Sequence, residues 1–253
     1  MQLANQSSNA DSQLDALREV ALHASLASRL RRSYLHEMRN GLQGLYVGFD
    51  ALTRANQSPS LQATAERAAT LLKQALGSHE QSLQRILDHL LVREEPPAVV
   101  DLGSQVRDVV RFLGNEAAVR QLSLQAECIE ALYATLRVDK IRLVLLSLAV
   151  DAIDSATRSG ALKCAVTLVG DRPTVELSLL LEDEKSKLET SAPHPEIAGD
   201  AGPRAPWRAL IFPVARSLVA ADRGTLHCTG DELAWQSVRI SYPPVETAQS
   251  IAG

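Results

Sequence analysis

The sequence has few aromatic and cysteine residues and no excess of positive charge. Aromatic residues make up 4% of the 253 residues, which disfavours a stacking platform for single-stranded nucleic acid. The formal net charge is −4, so we expect no basic field that would attract nucleic acid or an anionic membrane. Three scattered cysteines, Cys128, Cys164 and Cys228, form no Cys-x-x-Cys pair and indicate thiols in a reducing compartment.

Long apolar runs are lacking as well. No stretch of about eighteen apolar residues occurs, so we expect no membrane-spanning helix. Residues 1–9 are polar and lack the basic start and apolar stretch of a secretory signal peptide. Together with the cysteine pattern, these features predict a cytoplasmic protein. We expect residues 1–10 to be disordered and residues 245–253 to form a flexible tail.

Residues 11–95 carry the pattern of two long amphipathic helices joined by a short connection. Proline is absent from residues 11–55, where alanine, leucine, glutamate and arginine dominate and favour helix. Apolar residues recur at steps of three and four, which predicts one apolar stripe on each helix. In the first helix the stripe comprises Leu14, Leu17, Ala21, Ala24, Leu35, Met38, Leu42, Leu45, Phe49 and Leu52.

The connection at residues 56–60 and the two prolines at 96–97 mark where these helices end. Two such helices form an antiparallel hairpin, and a single hairpin cannot bury both of its stripes. We therefore predict a homodimer in which two hairpins form a four-helix bundle. A plain coiled-coil spacer would show the same periodicity, so the pattern does not identify a function.

A histidine lies next to the apolar stripe, midway along the first helix. His36 is followed directly by Glu37, and Asn40 comes four residues later, one turn along the same face. A lone helical histidine is usually an ordinary surface or packing residue. Imidazole is also a nucleophile at neutral pH through its unprotonated nitrogen, and a neighbouring carboxylate can fix the tautomer. An exposed imidazole on a rigid helix suits phosphoryl transfer, which depends mainly on positioning.

This segment resembles the phosphoacceptor box of sensor histidine kinases. The family pattern is His-Glu-x-x-Asn/Thr, then a small or turn-forming residue, then Leu; the matching residues are His36, Glu37, Asn40 and Leu42. Gly41 stands where the family usually has proline, and we expect either residue to loosen the helix.

The resemblance implies a role for each residue of this segment. His36 would be the phosphoacceptor, and Glu37 would assist it. Asn40 would orient a water molecule that hydrolyses the aspartyl phosphate of a response regulator. Arg39 and Gln43 would form the docking surface for the receiver domain of the regulator.

Residues 98–244 are predicted to form a second, α/β domain. Gly170–Pro173 is a good turn, Asp139 is a plausible N-cap, and a Pro/Gly-rich stretch spans 192–206. The predicted helices and strands are helix 104–116, strand 122–127, helix 137–156, strands 162–169 and 174–181, helix 210–221, and strands 224–228 and 234–242. This order resembles the ATP-binding α/β sandwich of histidine kinases. We therefore predict an α+β protein: a helical hairpin, a four-helix bundle in the dimer, followed by this sandwich.

The nucleotide-binding motifs of that family are altered in this chain. Asp151 stands where the family has its magnesium-coordinating asparagine. Asp183 keeps the adenine-contacting position, but Lys185 and Lys187 replace the two glycines that follow it. Residues 209–213 lack both glycines of a further motif. Because these glycines permit positive φ and close approach of the backbone to the nucleotide, we predict that ATP binding is lost and that no cofactor is bound.

Two other interpretations of these positions remain. Lys185 and Lys187 are equally explained as solvated charges on an ordinary loop. Asp151, Asp154 and Asp183 could gather a cation, although nothing else in the sequence supports a metal site.

Four functions are compatible with these observations. The first is a dimeric phosphotransfer protein of a two-component phosphorelay, which passes phosphoryl groups between His36 and the aspartates of receiver domains. In this function the receiver supplies Mg²⁺, and a hybrid histidine kinase is a possible partner. The second is a receiver phosphatase or pseudokinase regulator that uses Glu37 and Asn40. The third is an active histidine kinase, and the fourth is a structural scaffold. The resemblance favours the first.

Overall fold

The computed structural model describes residues 2–56, 62–90, 95–128, 131–156, 158–181, 206–232 and 234–245. The helices are α1 (Gln2–Asn56), α2 (Gln62–Leu90), α3 (Leu102–Val119), α4 (Val138–Ser155) and α5 (Arg208–Ala221). The strands are β1 (Ala98–Asp101), β2 (Leu122–Cys128), β3 (Tyr133–Leu136), β4 (Gly160–Val169), β5 (Arg172–Leu181), β6 (Thr225–Asp231) and β7 (Ala234–Ser241). The predicted α+β class, a helical hairpin followed by an α/β sandwich, is confirmed.

The chain divides into two compact units. The hairpin unit comprises Ala27–Val92, and the α/β unit comprises Met1–Leu26 together with Arg93–Gly253. None of the helices in the described part of the chain is long and apolar enough to cross a membrane.

The hairpin unit is held together by close packing of α1 against α2. A methyl group added to Gly48 would lie 3.1 Å from the Leu72 backbone, and one added to Gly44 would lie 3.7 Å from Ala75. Gly44 contacts Ala75 and the later Gly48 contacts the earlier Leu72, so the two helices are antiparallel. Small residues on α1 therefore allow the two backbones to approach closely.

The buried face of α1 differs from the predicted stripe. Leu30 and Tyr34 are buried, whereas Leu35 and Leu42 are 56% and 46% exposed. Leu14 and Leu17, predicted in the same stripe, are exposed too, and Leu22 and Leu26 are buried in their place. The helix thus has two apolar faces. The sequence pattern detected the face that the described chain leaves uncovered.

The N-terminal residues differ from the sequence-based expectation of disorder. Residues 2–10, for which we expected disorder, belong to α1. Most of the predicted flexible tail, residues 246–253, lies outside the described residues.

The α/β unit contains a five-stranded sheet in the order β2-β4-β5-β7-β6. Strands β2 and β4 are parallel, and every other neighbouring pair in this sheet is antiparallel. The chain passes from β2 to β4 through α4, because parallel neighbours require a crossover connection. Strands β1 and β3 form a separate antiparallel pair that the sequence analysis did not predict.

Local signals explain where the helices of this unit begin. The Asp101 side chain accepts a hydrogen bond of 2.9 Å from the Gly103 amide and so caps α3. Asp139 was predicted to cap α4, but the N-cap is Arg137, and Asp139 lies in the first turn. There its carboxylate is 3.2 Å from the Lys140 ammonium, and a carboxylate in the first turn is favoured by the helix dipole.

The N-terminal segment of α1 contacts α4 within the α/β unit through a buried ion pair. Lys140 is only 7% exposed, and its ammonium pairs with the carboxylate of Glu19. Burial lowers the pKa of Lys140, but Glu19 and Asp139 outweigh it, so the net shift is upward. The charge of Lys140 is therefore retained in the folded protein.

Candidate functional site

His36 lies on α1 in the hairpin unit, with its side chain exposed. A groove along one side of α1 contains it, and the lining includes Leu35, Arg39, Leu42 and Gln43. The predicted position of His36 beside an apolar stripe and open to solvent agrees with this placement. The same groove brings Arg39 and Gln43, both exposed, next to the imidazole.

The side-chain amide of Asn40 contacts the imidazole of His36. Its Nδ2 lies 3.3 Å from Nε2 of His36, as the spacing of one helical turn predicts. An amide nitrogen can only donate a hydrogen bond, so Nε2 accepts and carries no proton in this arrangement. The proton of the neutral ring is then on Nδ1. Nε2 is consequently the nitrogen that can act as a nucleophile.

Glu37 is half-buried and occupies the next position around α1. Burial, followed by the negative charge of Glu37, raises the pKa of the Tyr34 phenol well above its usual value. Tyr34 therefore stays neutral and acts as part of the buried face of α1. Glu37 contributes negative charge directly beside His36, the candidate phosphoacceptor.

Gly41 has a packing role that the sequence analysis did not identify. We expected it to loosen α1, yet the helix runs without interruption from Gln2 to Asn56. A methyl group at this position would collide with the His79 ring of α2, whose Cγ would be 2.9 Å away. Gly41, five residues after the candidate phosphoacceptor, thus provides the space for His79.

Asp151, at the position that the resemblance assigns to magnesium coordination, is part of a buried network. Asp151 is only 2% exposed, and one oxygen of its carboxylate pairs with the Arg208 guanidinium. The other oxygen accepts a hydrogen bond of 2.9 Å from Nε1 of Trp235. Arg208 also donates to the Ser155 hydroxyl. Both carboxylate oxygens therefore have protein donors.

This network bears on the possible cation site. A carboxylate whose two oxygens bind a guanidinium and an indole is poorly placed to coordinate a metal ion as well. Among the described residues, no three His, Cys, Asp or Glu side chains are grouped to hold a metal ion. Asp183, Lys185 and Lys187 lie outside the described residues.

Comparison with known proteins gives a likeness of fold. No family model matches the sequence, and no curated protein matches it. The chain is structurally similar to histidine kinase cores.

Three solved structures illustrate this similarity. The catalytic domain of histidine kinase ThkA is 14% identical with a TM-score of 0.44, over 59% of this chain and 97% of that one. Acinetobacter baumannii histidine kinase AdeS is 14% identical with a TM-score of 0.41, over 83% and 98%. A bacterial phosphotransferase is 13% identical with a TM-score of 0.39, over 86% and 95%.

Proposed function

We propose that this chain is a histidine phosphotransfer protein of a two-component phosphorelay. His36 exchanges a phosphoryl group with the aspartate of a response-regulator receiver domain, and the α/β unit does not bind ATP. The observation that supports this proposal best is the exposed imidazole on α1, with Asn40 donating to Nε2.

The transfer requires little covalent help from the protein. Nε2 of His36 attacks the phosphorus of the aspartyl phosphate, and the N–P bond forms as the O–P bond breaks. The aspartate leaves as a carboxylate with the bonding electron pair, while the proton of the imidazole stays on Nδ1. Because such reactions depend on in-line approach and charge stabilisation, a rigid helix and an open face meet the main requirement. The receiver supplies the Mg²⁺.

The buried network of Asp151, Arg208 and Trp235 supports the loss of ATP binding. A magnesium nucleotide would need the Asp151 carboxylate, and releasing it would leave the Arg208 guanidinium without its main partner. The replacement of two motif glycines by Lys185 and Lys187 points the same way. No cofactor is therefore part of the proposal.

The uncovered apolar face of α1 supports homodimerisation. Four of its members are large and exposed, namely Leu35 (56%), Leu42 (46%), Tyr46 (76%) and Phe49 (64%). A contiguous apolar face of this kind is unusual on a monomer and marks an association surface. We propose that it packs against a second copy of the hairpin to complete a four-helix bundle.

The proposed partners follow from the chemistry of the site. They are receiver domains, including one attached to a hybrid histidine kinase, and a second copy of this chain. Arg39 and Gln43 form the docking surface beside His36. Neither nucleic acid nor a membrane is a partner in this proposal, since the net charge is −4.

The test follows a labelled phosphoryl group from a candidate receiver of the same cell. Wild-type protein is expected to take up acid-labile, base-stable label, His36→Gln to take up none, and the control His227→Gln, on the α/β unit, to match wild type. Absence of label on wild type with every receiver of that cell would contradict the proposal.

The same assay separates the relay from a receiver phosphatase. The Asn40 amide beside His36 could orient a water molecule, which favours a phosphatase as the second candidate. A phosphatase would release inorganic phosphate from the receiver without labelling His36. Asn40→Ala would then abolish the release, whereas a relay would continue to label His36.

A further inference from the structure

The stretch of α1 around His36 has a charge opposite to that of the whole chain. Residues 27–47 contain four arginines and one glutamate, although the chain has a formal net charge of −4. Arg31, Arg32 and Arg39 are exposed, and none of the three forms an ion pair with another described residue. Unpaired guanidinium groups concentrated on two turns of one helix create a local positive potential.

Two of these arginines lie on the same side of α1 as the imidazole. At about 100° per residue, Arg32 and Arg39 are displaced from His36 by about 40° and 60° in one direction, and Asn40 by about 40° in the other. Arg32 comes one turn before His36, and Arg39 comes one turn after it. Both line the groove that contains His36, as does Arg31, so the angle around α1 is what distinguishes them. The imidazole therefore has the Asn40 amide on one side and two guanidinium groups on the other.

We propose that Arg32 and Arg39, the arginine pair, bind the phosphoryl group as it is transferred to and from His36. This inference rests on the proposed function and adds the residues that contact the phosphoryl oxygens. A planar guanidinium binds phosphate oxygens with paired, charge-assisted hydrogen bonds. The phosphoryl group in flight carries its negative charge on three equatorial oxygens, and fixed cations beside them lower the barrier to transfer.

The arginine pair fits the balance of the transfer. When the Nε2–P bond forms and the aspartate leaves with the electron pair, the phosphoryl oxygens keep their two negative charges. The imidazole ring, which retains its Nδ1 proton, gains one positive charge. One negative charge is left to be compensated at the site, and the arginine pair supplies that compensation without accepting or releasing a proton.

Arg31 provides a matched control. It has the same side chain, is also exposed and precedes Arg32 directly, but it is displaced from His36 by about 140° around α1. Arg31 also lines the groove, but on the side of α1 away from His36. Arg31→Gln thus removes the same charge from the same groove at a position farther from the imidazole. Since all three arginines are exposed, their glutamine variants are expected to fold, which circular dichroism can verify.

The experiment uses phosphoramidate, a small phosphoryl donor that phosphorylates histidine without any receiver, and measures the rate of His36 phosphorylation at high ionic strength. Arg32→Gln and Arg39→Gln are each expected to slow it by about tenfold or more. Arg31→Gln should stay within about twofold of wild type, because salt screens distant charges. Arg32→Lys should recover part of the rate, since it restores the charge but not the planar fork.

A second experiment measures transfer from a phosphorylated receiver. It tests the role of the arginine pair separately from the proposed relay function of His36. Arg32→Gln and Arg39→Gln should each lower the maximal rate of transfer, in addition to any change in the receiver concentration needed for half-saturation. If both glutamine variants match Arg31→Gln with phosphoramidate, or alter only the half-saturating concentration, the inference is overturned while the relay stands. If wild-type His36 accepts phosphate from phosphoramidate but from no receiver, the proposed function itself fails.

Discussion

Asp151→Asn is the most informative change in the α/β unit. It restores the residue type that histidine kinases have at this position and hardly changes the side-chain volume. It also removes the negative charge that faces the Arg208 guanidinium, in a residue only 2% exposed. The asparagine can still accept the hydrogen bond from Trp235. The substitution therefore isolates the charge of the buried network.

The expected cost follows from what is left behind. Removing one member of a buried ion pair destabilises a protein by about 3–5 kcal/mol, because the other charge remains buried without compensation. The retained hydrogen bonds reduce this, so we expect the free energy of unfolding to fall by about 2–4 kcal/mol. For a unit of this size that corresponds to a decrease in Tm of roughly 5–15 °C.

Urea unfolding monitored by circular dichroism measures this change directly. The control is Asp171→Asn, in the exposed turn between β4 and β5, which should alter the free energy of unfolding by less than about 0.5 kcal/mol. Arg208→Met should be destabilising alone, and the double variant with Asp151→Asn should lose less than the sum of the two single changes.

The same variant tests the loss of nucleotide binding. Because the lysines at positions 185 and 187 remain, neither wild type nor Asp151→Asn is expected to bind MgATP in titration calorimetry. An Asp151→Asn variant as stable as wild type would show that the buried charge of Asp151 does not stabilise the α/β unit. Binding of MgATP to wild type, with an affinity that Asp151→Asn alters, would contradict the loss of nucleotide binding.

Three further predictions concern packing, thiol chemistry and assembly. Gly41→Ala should lower the free energy of unfolding by about 1 kcal/mol, because overpacking against His79 exceeds the gain in helix propensity. Gly44→Ala, whose added methyl group would be 3.7 Å from its nearest neighbour, should raise the free energy of unfolding by about 0.5–1 kcal/mol. Urea unfolding that ranks the two variants in the opposite order would contradict this packing. Burial raises the pKa of Cys164 to about 12, so iodoacetamide at pH 8 should modify it far more slowly than the two half-buried cysteines, and equal rates by mass spectrometry would exclude this. Leu42→Glu should shift the protein towards monomer in sedimentation velocity, and an unchanged species would argue against dimerisation through this face.

The long helices were predictable because their signal is local. The 3.6-residue periodicity and the absence of proline specify α1 and α2 without knowledge of the fold. Which face of α1 becomes buried in the hairpin was not predictable, since Leu30 and Tyr34 form one apolar row and Leu35 and Leu42 form another. Periodicity reports that a row is apolar but does not reveal which row its own hairpin covers.

The short strands β1 and β3 were not predicted, because they depend on residues that are distant in the sequence. Strands β1 and β3 have four residues each, and they are stabilised by pairing with one another, as in Ala98 opposite Leu136. Four residues contain too little alternation to identify a strand.

The candidate sites divide in the same way. His36 and Asn40 are four residues apart on one helix, so their proximity follows from helical geometry. Asp151 and Arg208 are 57 residues apart, and their pairing depends on how α4 and α5 pack. From the sequence, Asp151 was noted only as a replacement for asparagine. Its position on a strongly apolar helix was the one signal of a partner, because a buried carboxylate requires a cation or a hydrogen-bond donor nearby.

The central claim is that His36 takes its phosphoryl group from a receiver and not from a nucleotide. The most direct measurement incubates the purified protein in parallel with radiolabelled MgATP alone and with a radiolabelled phospho-receiver alone, then maps the label by peptide mass spectrometry. We predict label on His36 from the receiver and no label from MgATP. Label on His36 from MgATP in the absence of any other protein would contradict the account.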